Sequence, residues 1–276
     1  SDDNSGIMDL NPDFKNGTDL KELFEIEDIV FEVDNKSLTN RPDLWGHYGT
    51  AREFAALAGR ELKSIPKADL DAYKNLPAVD MKILDPLCQR YSCLQIENIT
   101  KNVSPVNMRI RLFYCGMRSI NLLADLTNYL MLEMGQPMHA YDYDKVEDHT
   151  LVVRRGGKGE KLVTLDEKER VLDDSMIVIA DGKRAVGLGG VMGGLDTEVT
   201  SATRNVLLEA ASFNGPSIRR TSRALGLRSE ASGRFERGVD TILTHNALNR
   251  AAHLLEEMGA CETVSGIVES YPKEVK

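Results

Sequence analysis

Residues 187–194 read GLGGVMGG, five glycines in eight positions. Glycine loses more conformational freedom on folding than any other residue and offers no side chain to pack. A run this dense therefore marks left-handed backbone angles or something lying directly against the main chain. The run lacks the Lys-Ser/Thr of a phosphate-binding loop and leads into LDTEVT rather than an amphipathic helix, which argues against a nucleotide cradle. Two readings stay open: a tight crossing of strands, or a wall that a ligand touches.

The flanking segments predict what surrounds the run. LVVRR, KLVTL, MIVIA and NVLLEAASF, between Leu151 and Phe213, have strand character, as does YSCLQIENIT (Tyr91 to Thr100). Helical spacing appears from about Leu44 to Gly59, where Tyr48, Ala51, Phe54, Ala55 and Ala58 recur. Ser104-Pro105 supplies an N-cap and a first-turn proline for a helix running to about Cys115. Leu123, Leu126, Leu130 and Met134 define the next helix, ended by Gly135 and Pro137. Further helices are expected from about Pro216 to Leu225 and from Thr241 to Met258. Strands following helices without a strict βαβ alternation predict an α+β fold, with mixed, sandwich-like sheets and flanking helices. The Lys-rich stretch with Pro66 and Pro77 reads as a linker, so the expected division is 1–70, a linker at 71–79, a main domain at 80–260 and an extension at 261–276.

At 276 residues and 42% hydrophobic content the chain can bury a sizeable core. No apolar run is long enough to span a bilayer and no leader pattern opens the chain, so a cytoplasmic protein without a membrane partner is expected. The start at Ser1 and the charged tail suggest a piece of something longer. Cys88, Cys93, Cys115 and Cys261 show neither CxxC spacing nor a zinc pattern, which predicts buried free thiols and no metal. The net charge of −9 is concentrated in Ser1 to Asp34, where eleven acids face two lysines, and the remainder is neutral. Within it, Arg219, Arg220, Arg223, Arg228, Arg234 and Arg237 face only Glu230 and Glu236. That segment is either a basic surface for a polyanion or a set of internal ion pairs.

Four places carry possible chemistry. Glu209 sits in LLEAA, where a carboxylate is costly unless paired; it either faces solvent by strand alternation or floors a pocket. His139 in GQPMHAYD is expected in irregular backbone after a helix, as a structural residue or pointing into a cleft. Thr127 and Asn128 interrupt an apolar helix, either back-bonded or exposed, or lining a pocket. No GxSxG or other nucleophile motif accompanies them.

Together, SLTNRPD, GMRSINLLADLTNYLMLEMGQPMHAYD, GLGGVMGG and LLEAASFNGPSIRRTSRALGLRSEASGRFERGVD resemble the β subunit of bacterial phenylalanyl-tRNA synthetases. The resemblance runs through nearly the whole chain, in four separated blocks in the same order. It implies that 80–260 is an editing domain that hydrolyses tyrosine wrongly esterified to phenylalanine tRNA. It also implies that 1–70 is part of a winged-helix-like unit, and that 261–276 leads into a further module. Carried onto this sequence, the editing pocket falls on Arg118, Thr127, Asn128, His139, Gly193, Glu209, Ser229 and Ala231. Of these, His139, Thr127 and Asn128 would orient water and ester, and the others would bind substrate. The implied partners are tRNA(Phe), tyrosine as editing ligand and the synthetase α subunit. No cofactor is implied for this region; ATP and Mg2+ belong to the full synthetase. The competing reading is a tRNA-binding or scaffolding module without catalysis.

Overall fold

The computed structural model describes residues 10, 12–24, 26–69 and 79–272. The linker expected at 71–79 lies outside these residues apart from Val79, as do the first nine residues and the tail from 273. Helices and strands are mixed in an α+β arrangement of three layers.

The middle layer is a four-stranded antiparallel sheet in the order β11 (Cys261–Ser270), β2 (Cys88–Ile99), β10 (Val206–Phe213), β3 (Met138–Asp142). Every residue of β10 is buried, because the strand has neighbours on both edges and is covered on both faces. A strand in that position needs apolar residues at all positions, so alternation cannot turn Glu209 to solvent. One face of the sheet, with Leu94, Ile96, Ala140, Leu208 and Ala210, packs under α3 (Val106–Tyr114), α4 (Leu122–Met134) and α7 (Ile242–Glu257). The other face, with Tyr91, Cys93, Tyr141, Leu207 and Ala211, meets a second sheet. That sheet runs β1 (Asp80–Ile83), β4 (Thr150–Arg155), β7 (Ile177–Ala180), β8 (Ala185–Leu188), β9 (Met192–Gly193). A small hairpin of β5 (Lys161–Val163) and β6 (Glu169–Val171) stands beside it, and α5 (Gly215–Ala224) and α6 (Glu230–Phe235) follow β10.

Local signals account for α4: the Asn121 side chain accepts from the Ala124 N–H at 3.0 Å, and Gly135 ends the helix at φ 79°. Three expectations need correction. The Ser104 hydroxyl does not cap α3. It donates to buried Asp125 in the first turn of α4, which also receives the Ile120 N–H at 2.8 Å and so fixes the loop entering that helix. Residues 261–270 do not leave the domain but add β11 to the sheet, because their backbone pairs with the open edge of β2. Of the four thiols, all free, Cys88 and Cys93 are buried, Cys261 is half-buried and Cys115 is exposed at the end of α3.

The described part of residues 10–69 includes the short helix α1 (Leu20–Leu23), 3-10 turns at Lys36–Leu38 and Pro42–Trp45, and α2 (His47–Ala58). Only Gly46 and Gly49 are buried there. The apolar residues that predicted α2 do not make a core: Phe54 is 59% exposed. The segment is attached at several points, including His47 Nδ1 with the Leu132 carbonyl at 2.9 Å and the Pro66 carbonyl, which accepts from Arg250 at 3.1 Å. At the α6 end the contact is Trp45, whose ring lies 3.9 Å from the Arg237 guanidinium and 5.7 Å from that of Arg234. The Arg234 Nε–H donates to the Trp45 carbonyl. Gly46 meets the backbone at Gly135 so closely that a Cβ would stand 2.4 Å from the Gly135 nitrogen. Trp45 thus bridges the ends of α4 and α6. Trp45→Ala is expected to lower stability by about 2 kcal/mol in urea unfolding, through lost cation–π contact and apolar burial. An unchanged midpoint would show that the segment is held elsewhere.

Candidate active site

Between the two sheets, and closed on its sides by α4 and α6, lies a cavity of about 440 Å³. That volume falls within the roughly 300–1,000 Å³ of small-molecule sites. Its lining includes Thr127, Asn128, His139, Gly193, Glu209, Ser229 and Ala231, brought together from five elements and the loops between them. Arg118 is not part of the lining. It is exposed in the loop before α4, whose next residues Ile120 and Asn121 do reach the cavity.

Strand register sets the polar end. Glu209 pairs across β10 with His139 on β3 and Cys93 on β2, so these side chains share the face that looks toward the second sheet. Glu209 is 7% exposed. Its Oε2 accepts from the Tyr91 hydroxyl at 2.9 Å and from the Tyr141 hydroxyl. Burial raises its pKa from the usual carboxylate value to about 7, against the lowering effect of the two hydrogen bonds. The same tyrosines are pushed up by burial and by the adjacent Glu209 charge, and they stay protonated donors. Neither tyrosine was legible as a site residue, because each is an ordinary core aromatic until strand pairing aims it. The one local signal is the two-residue step from His139 to Tyr141, which puts both on one face of a strand.

His139 belongs to β3, not to irregular backbone, because residues 138–142 find a partner in β10. Its ring meets Tyr141 edge-to-face at 4.5 Å, and its Nε2 is buried without a hydrogen-bond partner. Burial lowers its pKa to about 4, so the imidazole is neutral at neutral pH. A Cβ on Gly193 would stand 2.2 Å from His139 Cε1. The glycine run thus serves protein contact first. Gly189 gives way to Ile177, Gly190 at φ 68° to Ile218 and Phe213, and Gly194 to the Val186 carbonyl. The reading as a tight crossing holds, and Gly187 to Gly190 and Gly193 also line the cavity.

At the α4 side, Thr127 Oγ1 donates to the Ala124 carbonyl at 2.9 Å, which leaves its lone pairs to accept. Asn128 is half-buried, and its amide makes no hydrogen bond among the described residues. The Ser229 hydroxyl is committed: it donates to the Val191 carbonyl at 2.6 Å and accepts from the Ser232 N–H as the N-cap of α6. It ties that helix to the glycine loop. The arginine segment divides. Arg234 and Arg237 pair with Glu230 and Glu236 and carry Trp45, and Arg228 reaches Glu236 at 3.5 Å. Arg219, Arg220 and Arg223 stand exposed on α5, without an ion pair among the described residues.

Because folding raises the pKa of Glu209, the stability it contributes is full below the unfolded value near 4.5 and is lost as pH rises through about 7. Glu209→Gln cannot ionise. Its stability relative to the wild type is expected to increase by about 2–3 kcal/mol between pH 5 and pH 8 in urea unfolding. A difference independent of pH would mean that the folded acid ionises as freely as the unfolded one.

The B3/4 domain family matches residues 87–260. A phenylalanine--tRNA ligase beta subunit of Moorella thermoacetica is 46% identical over 275 residues, covering 98% of this chain and 34% of that protein. The corresponding protein of Clostridium tetani is 40% identical over 274 residues, with coverage of 98% and 34%. The chain thus spans about a third of the length of these relatives. An N-terminal fragment of the phenylalanyl-tRNA synthetase beta-subunit from Pyrococcus horikoshii aligns at 17% identity and TM-score 0.45 over 88% of this chain and 66% of that one.

Proposed function

Since the chain belongs to the B3/4 domain family, we propose that it is the proofreading part of a phenylalanine-tRNA ligase β subunit, hydrolysing tyrosine esterified to phenylalanine tRNA. The observation that carries this reading is the buried carboxylate of Glu209 at one end of a largely apolar cavity, with neutral His139 and Asn128, whose amide has no partner among the described residues, in the same walls. A synthetic pocket that binds phenylalanine rejects an isostere with one added hydroxyl by only about a hundredfold, so a second site must make the distinction. A site built to hydrogen-bond that hydroxyl can do so, because phenylalanine leaves the acceptor unpaired in a desolvated pocket.

In this reading the tyrosyl ring enters beside the glycine wall and its phenol donates to Glu209. Water adds to the ester carbonyl, the bond to the terminal ribose oxygen breaks, and that oxygen takes the proton, releasing tyrosine and tRNA. Neutral His139 is a poor base at its lowered pKa and serves as a dipole orienting water or ester. Thr127 offers acceptor lone pairs and Asn128 both a donor and an acceptor. Positioning and fixed dipoles supply the acceleration in place of a covalent intermediate. The tRNA, the α subunit, and the ATP and Mg2+ of aminoacylation are proposed for the longer protein.

Arg219, Arg220 and Arg223 favour a second reading, in which the chain holds tRNA without hydrolysing the ester. Incubation with tyrosine-charged and phenylalanine-charged tRNA distinguishes the two. Faster loss of the tyrosyl ester supports proofreading, whereas salt-dependent tRNA binding with both esters intact supports the second reading. His139→Ala is expected to slow tyrosyl-ester hydrolysis about 10–100-fold while keeping the fold. An unchanged rate removes His139 from the mechanism. Glu209→Gln is expected to reduce the preference for the tyrosyl over the phenylalanyl ester about a hundredfold. In the wild type that preference should rise with pH through about 7, as Glu209 ionises and becomes the stronger acceptor. A preference flat from pH 5.5 to 8.5 would exclude an ionised acceptor.

A further inference from the structure

The arrangement around Glu209 goes further than the presence of an acid. A carboxylate oxygen has two lone pairs, and Oε2 receives two hydroxyls, from Tyr91 on β2 and Tyr141 on β3. It is saturated. Oε1 accepts none of the hydrogen bonds among the described residues, and it is absent from the buried polar atoms that lack a partner, so it is not sealed from the cavity that Glu209 lines. The two donors are rigid: both rings are essentially fully buried, on the strands that flank β10 from either side.

We infer that Tyr91 and Tyr141 are specificity-positioning residues, which saturate one oxygen of Glu209, fix the plane of its carboxylate and leave the other oxygen as the single place where a substrate phenol can donate. This inference rests on the proofreading reading. It adds that discrimination comes from a three-phenol arrangement on one carboxylate, with two phenols supplied by the protein and the third demanded of the substrate.

The surroundings assign a second task to the same hydroxyls. Tyr91, Cys93 and, further along, Cys88 face Glu209 from β2, and His139 and Tyr141 face it from β3. Both thiols are held neutral by burial, and the imidazole is neutral as well. From the second sheet come Ile179 and Gly187, without charge, and the more distant cavity walls carry the acids Glu198 and Glu230, the latter paired with Arg234. No cation pairs with Glu209 among the described residues. The two tyrosine hydrogen bonds are therefore what opposes burial and keeps the carboxylate available as an acceptor near neutral pH.

The experiment uses the chain with Tyr91→Phe, Tyr141→Phe and the double substitution, each of which keeps the ring and deletes only the hydroxyl. Hydrolysis of tyrosyl and phenylalanyl esters of tRNA is followed between pH 6 and pH 9, with thermal unfolding of each variant measured alongside. Each single variant is expected to reduce the tyrosyl preference about tenfold, the size of one hydrogen bond to a charged group, mainly through a higher KM. The preference should return at a higher pH than in the wild type, and further in the double variant, since losing the donors makes Glu209 harder to ionise. Variants that unfold at lower temperature but keep both the wild-type preference and its pH midpoint would overturn the inference, leaving the tyrosines merely structural. A variant with a stronger tyrosyl preference would also overturn it, because the protein phenols would then be occupying the substrate's place. A wild-type chain with no preference removes the proofreading reading, and this inference with it.

Discussion

A carboxylate in the middle of a strand buried on both faces is the constraint around which this structure is arranged. Leaving Glu209 charged and unpaired there would cost several kcal/mol, and no cation pairs with it among the described residues. The fold instead brings one tyrosine from each neighbouring strand onto the same oxygen. This solution depends on register. Shifting β10 by one residue against β2 and β3 would turn Glu209 toward the helices and put Leu208 or Ala210 at the cavity. The apolar pattern on the helix-facing side, Val206, Leu208 and Ala210, resists such a slip by packing under α4 and α7.

The glycine run is the complement of that acid. It lets β8, β9 and the loop between them approach His139, Ile177 and α5 more closely than any side chain would permit. His139 Nε2 faces Gly193 and is among the buried polar atoms that have no hydrogen-bond partner among the described residues. A buried ring nitrogen without a partner costs stability, and in His139 that nitrogen lies in the cavity wall. Its place in the cavity wall beside Glu209 suits the orienting role proposed for it, and its lowered pKa makes it a poor base.

The walls of the cavity come from elements distant in sequence, and they are held by contacts outside it. Asp125 fixes the loop entering α4. Ser229 fastens α6 to the glycine loop, and Trp45 spans the far ends of both helices from a segment with almost no buried residues of its own. Residues 41–58 therefore pack against the helices that wall the cavity without lining it. The arginine segment shows why a charge sum could not settle its role. Arg234 and Arg237 are consumed by this internal bracing, while Arg219, Arg220 and Arg223 on the neighbouring helix remain at the surface.

Elements whose ends are written in local chemistry were legible in the residues alone: α4 between Asn121 and Gly135, α7, and β4 and β7 of the second sheet, whereas β1 was not. The glycine and polar interruptions of apolar runs that line the cavity, Thr127, Asn128, His139, Gly193 and Glu209, stood out for the same reason, since each is a local departure that a core does not need. The partners of Glu209 were not. Tyr91 and Tyr141 are separated from it by more than sixty positions and look like any core aromatic, and only the pairing of β2, β10 and β3 aims their hydroxyls at one oxygen. Likewise the diversion of Ser104 to Asp125 and the exposure of Arg118 depend on where α3 and α4 pack. Sequence determined which residues are chemically out of place; the tertiary structure decided what each one meets, because hydrogen bonds between strands join residues that no local periodicity relates.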